Sequence, residues 1–228
     1  MSKIAIAQLH CWNVSLEEAR QIQSELQKKL IIKGELNPRF VAGADCAFSA
    51  QSELAYAVVV VYDLTKDKVV DLAKAKTKLK FPYIPRYLTF REGPCLIEAF
   101  SLLKIKPDVI IFDGQGIAHP RRMGIASHMG LWLKIPSIGC AKSRLWGKAK
   151  EPENYTGAFE WLYDGREVVG ALVRTKKNVK PVVVSPGHLI SPSSAIDVVL
   201  KCTRGYRLPE PTRIAHLEAN RFKKEQEG

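Results

Sequence analysis

No apolar run in the 228-residue sequence reaches the ~18 residues that a membrane-spanning helix needs, and "MSKIAIAQLHCWNVS" holds no long hydrophobic stretch of the secretory kind. Both absences point to the cytoplasm and away from a membrane partner. Cysteine is sparse: the five residues, Cys11, Cys46, Cys95, Cys140 and Cys202, are scattered, odd in number and without a C-x-x-C pair. That excludes a disulfide framework and a cysteine zinc cage. The "GQG" at 114–116 is not completed to G-x-G-x-x-G, so there is no dinucleotide fingerprint. Neither an internal repeat nor a low-complexity linker interrupts the chain, and 46% apolar with 25% charged residues suits one packed domain over 1–228, expected to be a monomer. Acidic residues are the last deficit: 23 Asp and Glu face 35 Lys and Arg, a formal charge of +12. A field of that sign draws polyanions, so nucleic acid is the expected partner; a merely solubilising basic surface is the alternative.

Periodicity then orders the chain. Ser15 and Glu18 form a capping box, and Ala19, Ile22, Leu26 and Leu30 follow on one face, which predicts an amphipathic helix over 15–33. "FVAGADCAF" (40–48), "LAYAVVVVYDL" (54–64) and "KVVDLAKAKTK" (68–78) read as a three-stranded antiparallel meander. After "PYIP" the pattern becomes α-β-α-β: a helix from about Gly93 to Lys104, a buried strand at 108–113, a glycine-rich loop, a helix over about 124–133 and the strand "SIGCA". "WLYDGREVVGALVRT" turns at Asp164-Gly165, "PVVVS" gives a further strand, and helices follow over about 192–202 and 211–224. The order predicts a ribonuclease H-like α/β fold: a mixed sheet of about five or more strands with helices on both faces. Its first strand and the strand after the first crossover helix then lie side by side, and each carries an aspartate.

Asp45 sits among small and apolar neighbours, where an unpaired charge costs several kcal/mol. Asp113 closes "VIIFD" at the carboxyl end of a buried strand, where ligand sites of open α/β sheets gather. Glu92 follows the stiff loop Pro82-Tyr83-Ile84-Pro85 at the expected start of a helix. Three acids converging at one strand end need a cation, and oxygen ligands select a hard one such as Mg²⁺ or Mn²⁺. Taken singly, each has a structural reading: Asp45 paired with a buried Arg, Glu92 as a helix N-terminal acid, Asp113 as a turn residue. His119, on a loop with Arg121 and Arg122, either faces a phosphate or is an exposed loop residue. Lys142, just past a strand end on the side of Asp113, is a candidate cation for a phosphate or a transition state. "AKSRLWGKAK" (141–150) suits phosphate contacts with aromatic packing, or a solvated loop anchored by Trp146. Chemistry alone does not rank His188 and His216, and His10 and His128 read as structural.

"VAGADCAF", "PYIPRYLTFRE", "DVIIFDGQGIAHPRRMGIASHMG", "IGCAKSRL", "SPGHLISPSSA" and "YRLPEPTRIAH" occur in the order found in the endonuclease V family, a resemblance covering about residues 14–220. It implies a ribonuclease H-like fold and a Mg²⁺-dependent endonuclease, with Mn²⁺ as a substitute. The implied substrate is deoxyinosine in damaged DNA, cut at the second phosphodiester 3′ to the lesion to leave 3′-hydroxyl and 5′-phosphate ends. An endoribonuclease on inosine-containing RNA, or a non-catalytic nucleic-acid-binding module, is the alternative. On this resemblance Asp45, Asp113 and Glu92 are the metal-binding acids. Lys142 is similar to the lysine near the scissile phosphate, His216 to a histidine that some members replace by aspartate, and His119 to a loop histidine near the active site. Tyr83 and Ile84, between Pro82 and Pro85, fall in the strand-separating wedge, and Arg121 lies on the nucleic-acid side. Many members carry glycine or another small residue where this chain has Arg86.

Overall fold

Ser15 halts the incoming chain and starts α1 (Leu16–Leu26): the Glu18 amide donates to Ser15 Oγ at 3.2 Å, and the Ser15 amide donates to Glu18 Oε2 at 2.7 Å. The predicted box forms, but the α-helix stops at Leu26 and continues only as a 3-10 turn over Gln27–Lys29. These elements come from a computed structural model that describes residues 4–49 and 53–228.

The strands β1 (Phe40–Phe48), β2 (Leu54–Asp63) and β3 (Lys68–Lys78) form the expected antiparallel meander. β1 also pairs in parallel with β4 (Val109–Phe112), and β4 pairs in parallel with β5 (Ser137–Ala141). β8 (Val182–His188) lies antiparallel to β5, and the hairpin of β6 (Phe159–Asp164) and β7 (Glu167–Val173) completes the sheet. The order is β3-β2-β1-β4-β5-β8-β7-β6. Alternation along β2 sends Ala55, Ala57, Val59 and Val61 toward α2 (Leu88–Ser101), on the face where α3 (Ile125–Leu133) covers β4, β5 and β8. Tyr56, Val58 and Val60 face α5 (Glu210–Glu227) instead. The other half of the sheet buries Ile138, Val173 and Val184 against α4 (Pro192–Lys201). Helices therefore cover both faces, and strands buried on both sides read as continuous apolar runs. No helix among the described residues is long and apolar enough to cross a membrane.

One boundary departs from expectation. α2 begins at Leu88, directly after the proline loop, rather than near Gly93, and it ends at Ser101. Thr89 and Phe90 are weak helix formers, but Phe90 is buried with Ala19, Phe81 and Tyr87, and that packing overrides propensity. Pro94 is absorbed inside the helix with the loss of one amide donor. Glu92 is thus an interior residue of α2 and not an N-terminal one.

Candidate active site

Two parallel strands deliver the aspartates. Ala44 pairs with Phe112, so Asp45 in β1 stands level with Asp113 just past β4. Gly43 lets α5 onto the sheet, because a Cβ there would lie 2.2 Å from the Pro211 carbonyl carbon. From Pro211 to His216 a helix rises about 7.5 Å, and from Gly43 to Asp45 a strand rises about 6.6 Å. These near-equal steps carry His216 over Asp45, where Nδ1 stands 2.6 Å from Oδ2. The partner of Asp45 is therefore this histidine, not a buried arginine.

Asp45, Asp113 and His216 each offer a ligand atom within 4.8 Å of the others, the group among the described residues able to hold a metal ion. Lys142, just past β5, donates from Nζ to Asp113 Oδ2 at 2.6 Å. Burial raises the Asp45 carboxyl above the usual carboxylate range, the His216 hydrogen bond opposes this, and the Asp113 charge adds to it. Glu92 does not belong to the group of three. It is close enough to feel it: burial first, then Asp45 and Asp113, push its carboxyl well above its ordinary value. Two carboxylate oxygens and one imidazole nitrogen, beside the disfavoured charge of Glu92, fit a divalent cation.

A cleft of about 330 Å³ opens beside Asp113. Tyr83, Ile84 and Pro85 form one wall, Gln115 and His119 come from the β4–α3 loop, and Lys142 to Leu145 complete it. Tyr83 is 68% exposed, free of the core that holds the base of its loop. Arg86 closes that loop with φ of 74°, in the left-handed region that favours glycine. Its carbonyl accepts from His119 Nε2 at 3.0 Å, Gln23 Nε2 at 3.0 Å and Arg121 Nη2 at 3.4 Å. Because the Arg121 amide donates to His119 Nδ1 at 3.2 Å, the proton of His119 sits on Nε2 and the ring is neutral. Burial above all, with Arg121 beside it, lowers the His119 pKa to about 4. Arg121 Nε donates to Gln23 Oε1 at 2.6 Å, and its guanidinium stacks 4.5 Å over the Tyr87 ring. His119 and Arg121, singled out for nucleic-acid contact, thus have their polar groups under the loop, holding its base. Gln23 escaped the sequence reading; the available signal was an amide placed on the buried face of α1.

The family profile described as Endonuclease V matches residues 21–217. The Endonuclease V of Methanothrix thermoacetophila is 50% identical over 209 residues, 92% of each chain, and that of Dictyoglomus turgidum is 48% identical over 207 residues, 90% of each. The crystal structure of Endonuclease V from Streptomyces avermitilis superposes with a TM-score of 0.91 at 36% identity over 100% of both chains. The Ciona intestinalis Endonuclease V, solved in complex with a 24-mer DNA containing an inosine followed by a ribo-adenosine, gives 0.82 at 30% identity over 93% of this chain and 99% of that one. On a matched profile across most of its length and relatives near half identity, the chain belongs to the endonuclease V family of nucleases.

Proposed function

We propose that the protein is a DNA repair endonuclease that takes a deoxyinosine into the cleft beside Asp113 and hydrolyses the second phosphodiester bond 3′ to it, leaving 3′-hydroxyl and 5′-phosphate ends. The observation that carries this reading is the adjacency of two functions in one place. The Asp45–Asp113–His216 group and the cleft under the exposed Tyr83 share Asp113. A base held in that cleft leaves a phosphate farther along its strand to meet the acids, which supports cleavage away from the lesion itself. Inosine-containing DNA bound to the Ciona relative supports the substrate.

Asp45, Asp113 and His216 would hold the divalent cation, Mg²⁺ with Mn²⁺ as a substitute, and Glu92 would act beside them. When bound, such an ion makes water nucleophilic at neutral pH and offsets charge that develops on the phosphate. Lys142 gives its Nζ to Asp113 in the free chain and is exposed enough to turn to a phosphate oxygen. The His216 ring keeps the Asp45 carboxylate oriented through its 2.6 Å contact. Tyr83 and Ile84 enter the duplex as the base leaves, replacing lost stacking worth roughly 1–3 kcal/mol.

The ribo-adenosine in the Ciona ligand keeps inosine-containing RNA as the second reading. Matched single-stranded DNA and RNA oligonucleotides, each with inosine or adenosine at one position, test both with Mg²⁺. Product ends mapped one nucleotide beyond the inosine in DNA support the proposal. Equal cutting of the adenosine controls contradicts it.

A further inference from the structure

A second cleft, of about 370 Å³, shares Lys142, Ser143 and Arg144 with the base cleft and continues to Lys180 and Arg207. Its charges are one-sided. Lys142, Arg144, Lys180 and Arg207 line it against Glu151 alone, and Glu151 is engaged by Arg174 at 2.9 Å. Arg207 is fixed by backbone: Nε donates to the Lys180 carbonyl at 2.9 Å, and Nη2 donates to the Pro181 carbonyl at 2.9 Å and the Lys142 carbonyl at 2.5 Å. Those bonds occupy no carboxylate and no bond to Nη1, so the guanidinium keeps its charge and a donor edge for an anion. They also tie the loop of Lys142 to the segment that leads into α5, the helix of His216.

We infer that this cleft binds the phosphodiester backbone of the same strand whose lesion lies in the base cleft. Planar guanidinium and flexible ammonium groups, of which Lys142 is paired with Asp113 while Arg144, Lys180 and Arg207 have no carboxylate partner among the described residues, suit successive phosphates, which position a strand without reading its sequence. Continuity through Lys142, Ser143 and Arg144 makes it one path rather than two sites. The inference rests on the proposed nucleic-acid substrate and adds where that strand runs.

Lys180 is the residue to change, since its side chain is exposed and Arg207 uses only its carbonyl. Binding of single-stranded inosine DNA to Lys180→Ala and Lys180→Glu is measured against salt in Ca²⁺, beside wild type, with oligonucleotides of full length or shortened 5′ or 3′ of the inosine. Losing one phosphate contact makes the slope of log affinity against log salt shallower by about 0.7. Lys180→Glu weakens binding further than Lys180→Ala, and one of the two truncations abolishes the difference from wild type. Wild-type slopes and affinities in both variants overturn the cleft assignment, as does a penalty that survives both truncations. If wild type bound inosine and adenosine strands alike while the Lys180 variants still lost slope, the cleft would stand and the lesion reading would fall.

Discussion

Asp113 accepts from Lys142 in the free chain and borders both the metal group and the cleft, so its loss removes more than one contact. Asp45→Ala and Asp113→Ala are each expected to slow single-turnover cleavage at least ~100-fold, about 2.7 kcal/mol, while inosine-strand binding in a gel shift changes little. His216→Asp replaces the nitrogen ligand by an oxygen and is expected to retain measurable cleavage, whereas His216→Ala is not; equal rates for the two remove His216 from the metal group. His119 gives a pH prediction. Its folded pKa of about 4 lies below the ordinary 6.5, so the folded chain binds fewer protons than the unfolded one between those values. Its contribution is complete above pH 6.5 and is lost as pH falls toward 4, a change of roughly 2–4 kcal/mol. The half-buried His10–His128 contact at 2.7 Å, with both rings' pKa values lowered mainly by burial, adds a loss of the same sign. Denaturation midpoints at pH 7.5 and 5 should therefore fall less in His119→Gln than in wild type, and an equal fall contradicts the role of His119. The aspartates were legible in the sequence because a charge inside an apolar strand has few tolerable partners. The work of Gln23 and His119 was not legible, since both serve a backbone carbonyl, at Arg86, that no side-chain pattern announces.

The elements hold these side chains through two close approaches. α5 reaches β1 only because residue 43 lacks a Cβ, and Gly43→Ala forces backbone at Pro211 to move. That displacement separates His216 from Asp45. Gly43→Ala is expected to cost about 1–3 kcal/mol in stability and to lose cleavage beyond what the fraction unfolded explains; wild-type activity in the folded fraction contradicts the alignment of α5. The proline loop is the second device. Pro82 and Pro85 fix φ near −65°, so the loop would lose little entropy on the proposed insertion. Its base is held by Gln23, His119 and Arg121 donating to the Arg86 carbonyl, and α2 begins at once at Leu88, joining Tyr83 to Glu92 through one short stretch. Tyr83→Ala should keep the thermal midpoint but narrow the preference for inosine over adenosine in competition binding; unchanged selectivity removes the wedge. The antiparallel meander and the parallel β1–β4 neighbours followed from the meander and crossover pattern, whereas the placement of β8, β7 and β6 beyond β5 did not. The start of α2 did not, because burial of Phe90 among Ala19, Phe81 and Tyr87 is tertiary information.

Across the whole molecule, the +12 charge is the feature that composition alone exposed. Composition does not say where the charge gathers, and the fold does: Lys142, Arg144, Lys180 and Arg207 line clefts that join at Lys142, Ser143 and Arg144, beside Asp113. Several phosphates neutralised along that path make binding fall log-linearly and steeply with salt, with little dependence on sequence away from the inosine. The Asp45–Asp113–His216 group is proposed to hold the ion needed to cut an inosine strand. Single-turnover cleavage of an inosine oligonucleotide by wild type and Asp113→Asn across a Mg²⁺ titration tests it most directly. The wild-type rate is expected to saturate with Mg²⁺ and the Asp113→Asn rate to lie at least ~100-fold lower at every concentration, with the strand still bound. An Asp113→Asn rate within about threefold of wild type, less than ~0.7 kcal/mol, would contradict it.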